Sequence, residues 1–402
     1  MSDLSRQPVI VSAARTPIGR FLGGLASLSA PDLGAIAIRA ALSRANISPE
    51  DVGNVIMGNV LQGGVGQAPA RQSALKAGLP GTVSAVTVNK VCGSGLEAVM
   101  LASSSIKAGD EQVVVAGGQE SMSNSPYYVY GYRGGVKFGD QTMVDGLIKD
   151  GLWCSFCDVH MGTHADYTAR KATVTREEQD IFSALSHSKA IAAIEAGKFK
   201  AEIAPVEVVG RKGTTVVDTD EGPRKDTTLE TLAKLRPAFG GKDKGADLSV
   251  TAGNSSTLND GAAALLVVSE QFARDHGLEI MARVTGYATG GGEPQDLFFA
   301  PIVAVQKLMK KTGAKITDYD LIEANEAFAS QSIADGRGLG WDDSRVNVNG
   351  GAIALGHPIG ASGARILTTL LYALKDRGKR TGLATLCLGG GNAVALSVER
   401  PS

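Results

Sequence analysis

Apolar residues in the first 122 positions alternate between short continuous runs and longer stretches with helical spacing. The short runs have the length of buried strands, and the longer ones place apolar side chains on one helix face. These strand-like and helical stretches cover residues 9–13, 32–45, 52–61, 83–88, 96–108 and 112–117. Strands that alternate with helices predict an α/β unit built on a doubly wound, mostly parallel sheet.

The same rhythm returns near the C-terminus. It covers residues 282–287, 301–312, 319–324, 346–348, 362–376 and 383–388. In both stretches a Val-Asn pair, at 88–89 and at 348–349, precedes a Gly-rich turn, a helix and an apolar run that ends in two glycines. We therefore predict a diverged internal repeat of two similar βαβαβ-type halves, whose corresponding turns lie close together.

The middle of the chain is more polar and charged than either flank. Residues 177–196 there keep helical apolar spacing, so the segment is predicted to be an inserted α+β loop domain rather than a linker. The turn at 259–261 leads into an apolar run that returns to the first half. The predicted units are an N-terminal half at 1–122, the insertion at 123–250, the return at 251–279 and a C-terminal half at 280–402.

Charge and composition favour a small-molecule substrate. The 402 residues include 40 basic and 41 acidic ones without a basic stripe, which gives no electrostatic reason to expect nucleic acid or a membrane surface as partner. No stretch approaches the roughly 20 apolar residues of a membrane span. The start lacks a signal-peptide layout and the end lacks a Ser-Lys-Leu address, so a cytoplasmic location is expected.

Four cysteines are too few for a disulfide framework in a chain of this length. Cys92 stands out because it follows a strand-like run and precedes a Gly-rich turn and a long helix. At a helix start, free N–H groups and the helix dipole lower the pKa of a thiol from about 8.5 toward neutrality. A lone cysteine is more often a buried small hydrophobe. The small residues at 93–95, however, leave room for a large partner, so Cys92 is a candidate nucleophile.

Two further Gly-rich turns carry candidate chemistry in the second half. His357 has a loop position typical of functional residues, and beside Cys92 it would be the group that takes the thiol proton. Cys387 ends a strand directly before three glycines, and the amide of Gly389 is a candidate oxyanion donor. Asn325 is either a helix cap or a polar group directed at the site.

Together these residues resemble the thiolase family. The motifs are Cys92 in VCGSG, Asn325 in NEAF, His357 in GGAIALGHPIGASGAR and Cys387 in CLGGG, and the similarity extends along essentially the whole chain. The resemblance implies a five-layer αβαβα thiolase fold. It also implies acetyl-CoA C-acetyltransferase activity, in which two acetyl-CoA condense reversibly to acetoacetyl-CoA and CoA by a ping-pong mechanism.

The resemblance also assigns roles to the site residues. It makes Cys92 the acyl carrier, His357 the group that deprotonates it and Cys387 the α-carbon acid/base. It gives the oxygen of acetyl-Cys92 to the amides of Cys92 and Gly389, and the thioester oxygen of bound acyl-CoA to His357 with a water held by Asn325.

The resemblance extends to the CoA side, where His160-Met161-Gly162 matches the signature of the short-chain branch. It implies that acetyl-CoA, acetoacetyl-CoA and CoA bind as substrates and products, that no cofactor is tightly bound and that the chain forms a homotetramer. The matched CoA- and acyl-contacting positions are His160, Met161, Arg224, Ser256, Ala327 and Phe328.

Three features leave the family pattern or suggest other chemistry. Phe156 replaces a tyrosine of the potassium-activated members, so potassium dependence is in doubt. Residues 297–299, Leu-Phe-Phe, are bulkier than is usual in the loop that shapes the acyl pocket, which leaves the tolerated chain length open. Cys154 and Cys157 form a C-x-x-C pair, and His160 and His164 have i,i+4 spacing, yet no second pair completes a four-ligand zinc site, so no metal is predicted.

Other function classes fit less well. The glycines at 350–363 do not open a βαβ unit with an acidic residue at the expected distance, which argues against a dinucleotide-binding dehydrogenase. Cys387 and Asn325 argue against a ketoacyl synthase of the same fold. The remaining alternatives are a 3-ketoacyl-CoA thiolase of broader chain length and a non-catalytic acyl-CoA or lipid carrier.

Overall fold

The computed structural model describes residues 3–136, 138–211, 213–240 and 247–401. The α-helices are α1 Ala30–Ala45, α2 Pro69–Lys76, α3 Ser94–Ala108, α4 Met161–Lys171, α5 Arg176–Glu195, α6 Leu229–Ala233, α7 Glu270–Asp275, α8 Ala300–Thr312, α9 Ala329–Leu339, α10 Ala352–Leu355 and α11 Ser362–Asp376. The strands are β1 Pro8–Arg15, β2 Gly19–Arg20, β3 Asn54–Gly58, β4 Ser84–Val88, β5 Val113–Ser121, β6 Tyr127–Tyr128, β7 Val144–Asp145, β8 Trp153–Cys154, β9 Val159–His160, β10 Val206–Gly210, β11 Gly213–Val217, β12 Asn259–Ser269, β13 Ala282–Gly291, β14 Leu321–Ala324, β15 Thr381–Leu388 and β16 Asn392–Glu399.

The large sheet consists of two half-sheets joined edge to edge. The strand order is β14-β15-β16-β13-β1-β12-β5-β3-β4, and β2 adds to β12. The half-sheets meet where β1 pairs with β13 over only two residue pairs, Val9 with Arg283 and Ile10 with Ala282. Each half-sheet therefore keeps its own pair of faces for helices to cover.

Helices lie on both faces of each half-sheet and give five layers. In the central layer, α3 and α11 pack against each other, and their apolar side chains form one core with both half-sheets. The outer face of the N-terminal half is covered by α1 and α2, and that of the C-terminal half by α8. The predicted αβαβα architecture of two similar halves is confirmed.

The predicted mostly parallel sheet is wrong, because the sheet is mixed. Parallel pairing is confined to β14 with β15 and to β3 with its two neighbours, while the other neighbours along the order are antiparallel. A short turn at 389–391 joins β15 to β16 as a hairpin, and such a turn permits only antiparallel pairing. On the other half, β12 returns from the insertion between β1 and β5.

The predicted strand at 346–348 is also absent from the structure. Only an isolated bridge joins Val346 to Ile322, because the next residue, Asn347, has φ +43 and leaves the extended conformation. The Asn347 side chain instead bonds both backbone groups of Ala324, at 2.9 and 2.8 Å. The described residues between 123 and 250 include two-stranded hairpins and the helices α4 to α6. The predicted boundaries of the units stay a prediction.

Candidate active site

A cavity of about 630 Å³ opens where the starts of α3 and α11 meet the end of β15. Ten of the eleven predicted site residues line it, and Asn325 is buried directly behind it. The ten are Cys92, His160, Met161, Arg224, Ser256, Ala327, Phe328, His357, Cys387 and Gly389.

Cys92 lies in a tight turn between β4 and α3. Val91, directly before it, has φ +46, which is an unfavourable conformation for a β-branched residue. The turn is fixed by side chains at its two ends: Asn89 accepts the amide of Val91 at 3.0 Å, and the Ser94 hydroxyl donates to the Val91 carbonyl at 2.6 Å. A strained backbone conformation persists only where surrounding contacts hold it, and such residues are frequent at functional sites.

The Cys92 thiol does not have the lowered pKa that its position near a helix start predicts. Burial raises the pKa to about 12, the backbone amides of Cys92 and Gly389 oppose this shift, and Glu120 adds to it. Ser94, two residues later, is the first helical residue, so Cys92 lies just outside the helix, and desolvation is the largest influence on its pKa. The two amides that act on the thiol are the donors predicted for an oxyanion site.

Two glycines allow α3 and α11 to approach closely enough to bring the two loops together. A Cβ atom at Gly95 would lie 2.7 Å from the backbone nitrogen of Ala364, and one at Gly363 would lie 2.3 Å from that of Leu96. Both distances are too short for any side chain. The helix starts therefore cross in contact, and the loop that carries His357 faces the turn that carries Cys92.

His357 is held in one tautomer by its neighbours. Its Nδ1 lies 2.6 Å from Ser362 Oγ, and that hydroxyl donates its own proton to the Pro358 carbonyl at 2.9 Å. The hydroxyl can therefore only accept from Nδ1–H, which leaves Nε2 unprotonated and able to take a proton. Burial, with a smaller contribution from Arg365, lowers the pKa of His357 to about 3, so the ring is neutral near pH 7.

Asn325 follows the end of β14 and touches the catalytic candidate His357 rather than the cavity. Its Nδ2 lies 3.5 Å from His357 Nε2, and its backbone amide donates to Thr385 at 3.0 Å. Its buried Oδ1 has no hydrogen-bond partner among the described residues. The sequence allowed two interpretations of Asn325, a helix cap or a polar group directed at the site. The position fits the second, because α9 begins only at Ala329 and Asn325 cannot cap it.

Cys387 has a drier environment than Cys92. Only 2% of the residue is exposed, and it packs in an apolar cluster with Phe298, Ala327 and Phe328. Burial raises the pKa of its thiol well above the ordinary value, and the charges of Cys92 and Asp335 raise it further. The two cysteines are therefore electrostatic neighbours in one cavity.

Two matches with protein-family models cover nearly the whole chain. The thiolase N-terminal domain matches residues 8–271, and the thiolase C-terminal domain matches residues 278–400. The chain belongs to the thiolase family. It is similar to proteins named acetyl-CoA acetyltransferase from Pseudomonas aeruginosa, Paracoccus denitrificans and Escherichia coli, each 54% identical over 393 residues. The alignments cover 98% of this chain and 98 to 99% of each relative.

Aromatic rings form one wall of the thiolase cavity. Phe298 and Phe328 meet edge to face with centroids 5.3 Å apart, and Phe239 packs edge to face against Phe328 at 6.0 Å. His160 stacks on Phe239 at 5.0 Å and caps α4 by accepting the Gly162 amide at 3.0 Å. Phe239 contributes to this wall although its sequence position gives no periodic or motif signal.

Phe299 does not join this wall, although the bulk of residues 297–299 predicts a contribution from both phenylalanines. Leu297 and Phe298 are almost fully buried and line the cavity. The Phe299 ring instead lies under the ammonium group of Lys171, 5.2 Å from its centroid. Of the two phenylalanines, only Phe298 therefore lines the cavity.

Sequence reasoning missed Glu120, a buried carboxylate that ties the two halves of this thiolase together. It accepts amides of Val60, Leu61 and Gly360 and the side-chain amide of Asn59, at 2.7 to 3.1 Å. Burial raises its pKa to about 7. Glu120 could have been found from the sequence, because it is a charged residue near the end of the apolar strand β5. Among the described residues, no helix is long and apolar enough to cross a membrane.

Proposed function

We propose that this protein is an acetyl-CoA C-acetyltransferase that condenses two acetyl-CoA to acetoacetyl-CoA and CoA, and catalyses the reverse thiolysis. The observation that carries the proposal is the convergence of Cys92, His357 and Cys387 on one cavity, with two backbone amides directed at the Cys92 sulfur. The names of the similar proteins support the same activity.

In the first half-reaction Cys92 attacks the thioester carbonyl of acetyl-CoA. Its proton passes to Nε2 of His357 and then to the departing CoA thiolate, so a C–S bond forms as another breaks. With a thiol pKa of about 12 and an imidazole pKa of about 3, a resting thiolate–imidazolium pair is strongly disfavoured. Both groups therefore rest in their neutral forms, and the attack leaves acetyl-Cys92 and free CoA.

In the second half-reaction Cys387 first passes its thiol proton to Nε2 of His357, which lines the same cavity, and the thiolate then removes an α-proton from a second acetyl-CoA. The resulting enolate attacks the carbonyl of acetyl-Cys92. Cys92 leaves as a thiolate and takes the proton back from His357 as acetoacetyl-CoA forms. The apolar wall around Cys387 favours this role, since it keeps water away from the carbanion and the reactive thioester.

Two oxygens develop negative charge in this sequence, and each has its own donors in the proposal. The amides of Cys92 and Gly389 stabilise the oxygen of the Cys92 adduct. His357, while Nε2 carries the proton taken from Cys387, donates to the thioester oxygen of the incoming acetyl-CoA, together with a water held by Asn325. The buried Oδ1 of Asn325, without a partner among the described residues, is available for such a water.

The CoA moiety would enter past Arg224 and Ser256, which line the same cavity as the cysteines. The Ser256 amide is fixed by donating to the Ala327 carbonyl at 2.9 Å, so the pantetheine contact is part of the pocket wall. CoA acts as substrate and product, and the proposal includes no tightly bound cofactor.

Assembly as a cytoplasmic homotetramer is part of the same proposal. Support for the assembly comes from the insertion, where the apolar rings of Tyr127, Tyr130 and Tyr132 are more than half exposed. Exposed apolar groups in one segment are typical of a protein contact. Light scattering of the purified protein should give a mass of four chains of 41.4 kDa each.

Thiolysis of 3-ketoacyl-CoA thioesters of increasing length, with free CoA as acceptor, tests the activity and its specificity. We expect fast turnover of acetoacetyl-CoA and much slower turnover of a ten-carbon substrate, because Met161, Leu297 and Phe298 close the acyl end. Comparable rates would instead assign a thiolase of broader chain length. Binding of acyl-CoA without any acetyl exchange would assign a non-catalytic carrier.

A further inference from the structure

Three metal-ligating side chains that the proposed reaction does not use come together beside the active site. The thiols of Cys154 and Cys157 and a ring nitrogen of His164 all lie within 4.8 Å of one another. Neither cysteine is disulfide-bonded. In the sequence, the C-x-x-C pair lacks the further ligands that a four-ligand zinc site needs. The fold supplies a third ligand, His164, from the following helix.

The local structure holds the three side chains on one rigid unit. Cys154 ends β8, the turn at 155–158 leads to β9, and His164 lies within the first turn of α4, directly after β9. In the turn, the Asp158 amide donates to the Cys154 carbonyl at 2.8 Å, and Trp153 Nε1 donates to the Asp158 carboxylate at 2.9 Å. These two hydrogen bonds stabilise the turn between β8 and β9 that carries both cysteines.

His164 provides an independent sign of a missing partner. The residue is only 2% exposed, and its Nε2 has no hydrogen-bond partner among the described residues. A buried, unpaired ring nitrogen is costly unless something binds it.

We propose that Cys154, Cys157 and His164 bind one thiophilic divalent cation of the zinc class, with water or a further group as fourth ligand. Two thiolates and one neutral imidazole are the donor set that Zn²⁺ favours over harder cations. Tetrahedral ligation needs sulfur atoms about 3.8 Å apart. Because the ligand atoms lie within 4.8 Å of one another, the exposed Cys157 needs to move by no more than about 1 Å, and each thiol releases one proton on binding.

The bound cation would fix the hairpin that borders the active site without taking part in the chemistry. Cys154 lines a second cavity that shares Val91, Gly151, Met161 and Gly389 with the active-site cavity. Because His164 and Met161 lie on the same turn of α4, a metal clamp would anchor the residue that caps the acyl pocket. This site stands independently of the proposed acetyl transfer.

Competition between the full-length protein and a chromophoric chelator for Zn²⁺, under a thiol-free reductant, tests the proposal. We expect one Zn²⁺ per wild-type chain, and at least about 100-fold weaker binding in Cys157→Ser and His164→Ala. Cys157 is exposed, so Cys157→Ser should fold even where the buried histidine substitution does not. Replacement by Co²⁺ should give a sulfur-to-metal absorption band that disappears in Cys157→Ser.

Matched variants separate this site from other thiols and histidines. Ser155→Ala in the same turn, His276→Ala on the surface and the double variant Cys92→Ser/Cys387→Ser should all keep the Zn²⁺ and the Co²⁺ band. Excess Mg²⁺ should not displace Zn²⁺. The proposal is overturned if the wild type binds no stoichiometric Zn²⁺, or if Cys157→Ser binds Zn²⁺ as tightly as the wild type.

Discussion

The two active-site cysteines lie in Gly-rich turns that look alike in sequence and differ in their surroundings. Cys92 is half-buried between a strained residue, Val91, and the start of α3, and two backbone amides act on its sulfur. Cys387 is fully enclosed by apolar side chains at the end of β15. Burial raises the pKa of both thiols, so neither rests as a thiolate near pH 7.

The difference indicates that preorganised donors rather than thiol acidity separate the two roles. A nucleophile that becomes acylated needs donors for the oxygen of its adduct, and Cys92 has two amides in place. A group that exchanges a proton with carbon needs a dry setting close to that carbon. Each prediction below tests whether this contrast in surroundings is a contrast in function.

The largest effect is expected for Cys92→Ser. Condensation, thiolysis and acetyl exchange between acetyl-CoA and CoA should all fall by on the order of 10⁴ or more, because the covalent intermediate cannot form efficiently. Exchange of labelled CoA and mass spectrometry of enzyme quenched with acetyl-CoA measure this. An acetyl group found only on the peptide that contains Cys387 would reverse the assignment.

A split between activities is expected for Cys387→Ser. Thiolysis and condensation should fall about 10²- to 10⁴-fold, since a hydroxyl is too weak a base to replace the thiolate. Acetyl exchange through Cys92 should survive, because neither of its steps moves an α-proton. Loss of exchange as complete as in Cys92→Ser, in a protein that still folds, would mean that the two surroundings serve one shared task.

A change of chain-length preference is expected for Phe298→Ala, which opens the wall beside Cys387. The ratio of kcat/KM for a six-carbon over a four-carbon 3-ketoacyl-CoA should rise about tenfold, the usual order for one pocket contact. Phe299→Ala is the matched control, because its ring lies under Lys171 outside the cavity. Equal changes in both variants would place the specificity elsewhere.

Elements with strong apolar periodicity could be predicted from the sequence. Elements that contain residues of low helix propensity could not. The helices α3, α8 and α11 lie where apolar spacing predicts them. The helix α9 was missed because Gly336 and Gly338 interrupt its pattern, at about 1 kcal/mol each. A Cβ atom at Gly336 would lie 2.7 Å from the Trp341 ring and one at Gly338 would lie 2.3 Å from the Ile302 side chain, so a larger residue at either position would displace its neighbour.

The candidate site shows the same limit of local information. Cys92, His357 and Cys387 could be predicted as site residues because each lies in a motif that is contiguous in sequence. All three line one cavity. The high pKa of Cys92 was missed, because it depends on desolvation by distant segments. The proximity of His164 to the C-x-x-C pair was missed too, since it depends on how the hairpin folds back on α4.

The smallest effect concerns the buried carboxylates beside the two cysteines, Glu120 near Cys92 and Asp335 near Cys387. Burial raises the pKa of Glu120 from 4.5 to about 7, so the folded state holds a proton in this range that the unfolded state releases. The stability from this group is complete below pH 4.5 and is lost as the pH rises through about 7. Its slope is at most about 1.4 kcal/mol per pH unit.

Glu120→Gln removes that slope. Free energies of unfolding from urea titrations at pH 5, 6 and 7 should therefore fall less with pH, or rise more, in the variant than in the wild type. Asp335→Asn should change the slope in the same direction, because burial also raises the pKa of Asp335. Parallel curves for Glu120→Gln and wild type would mean that Glu120 is charged in the folded state. The surroundings of Cys92 would then contain one full negative charge, that of the Glu120 carboxylate.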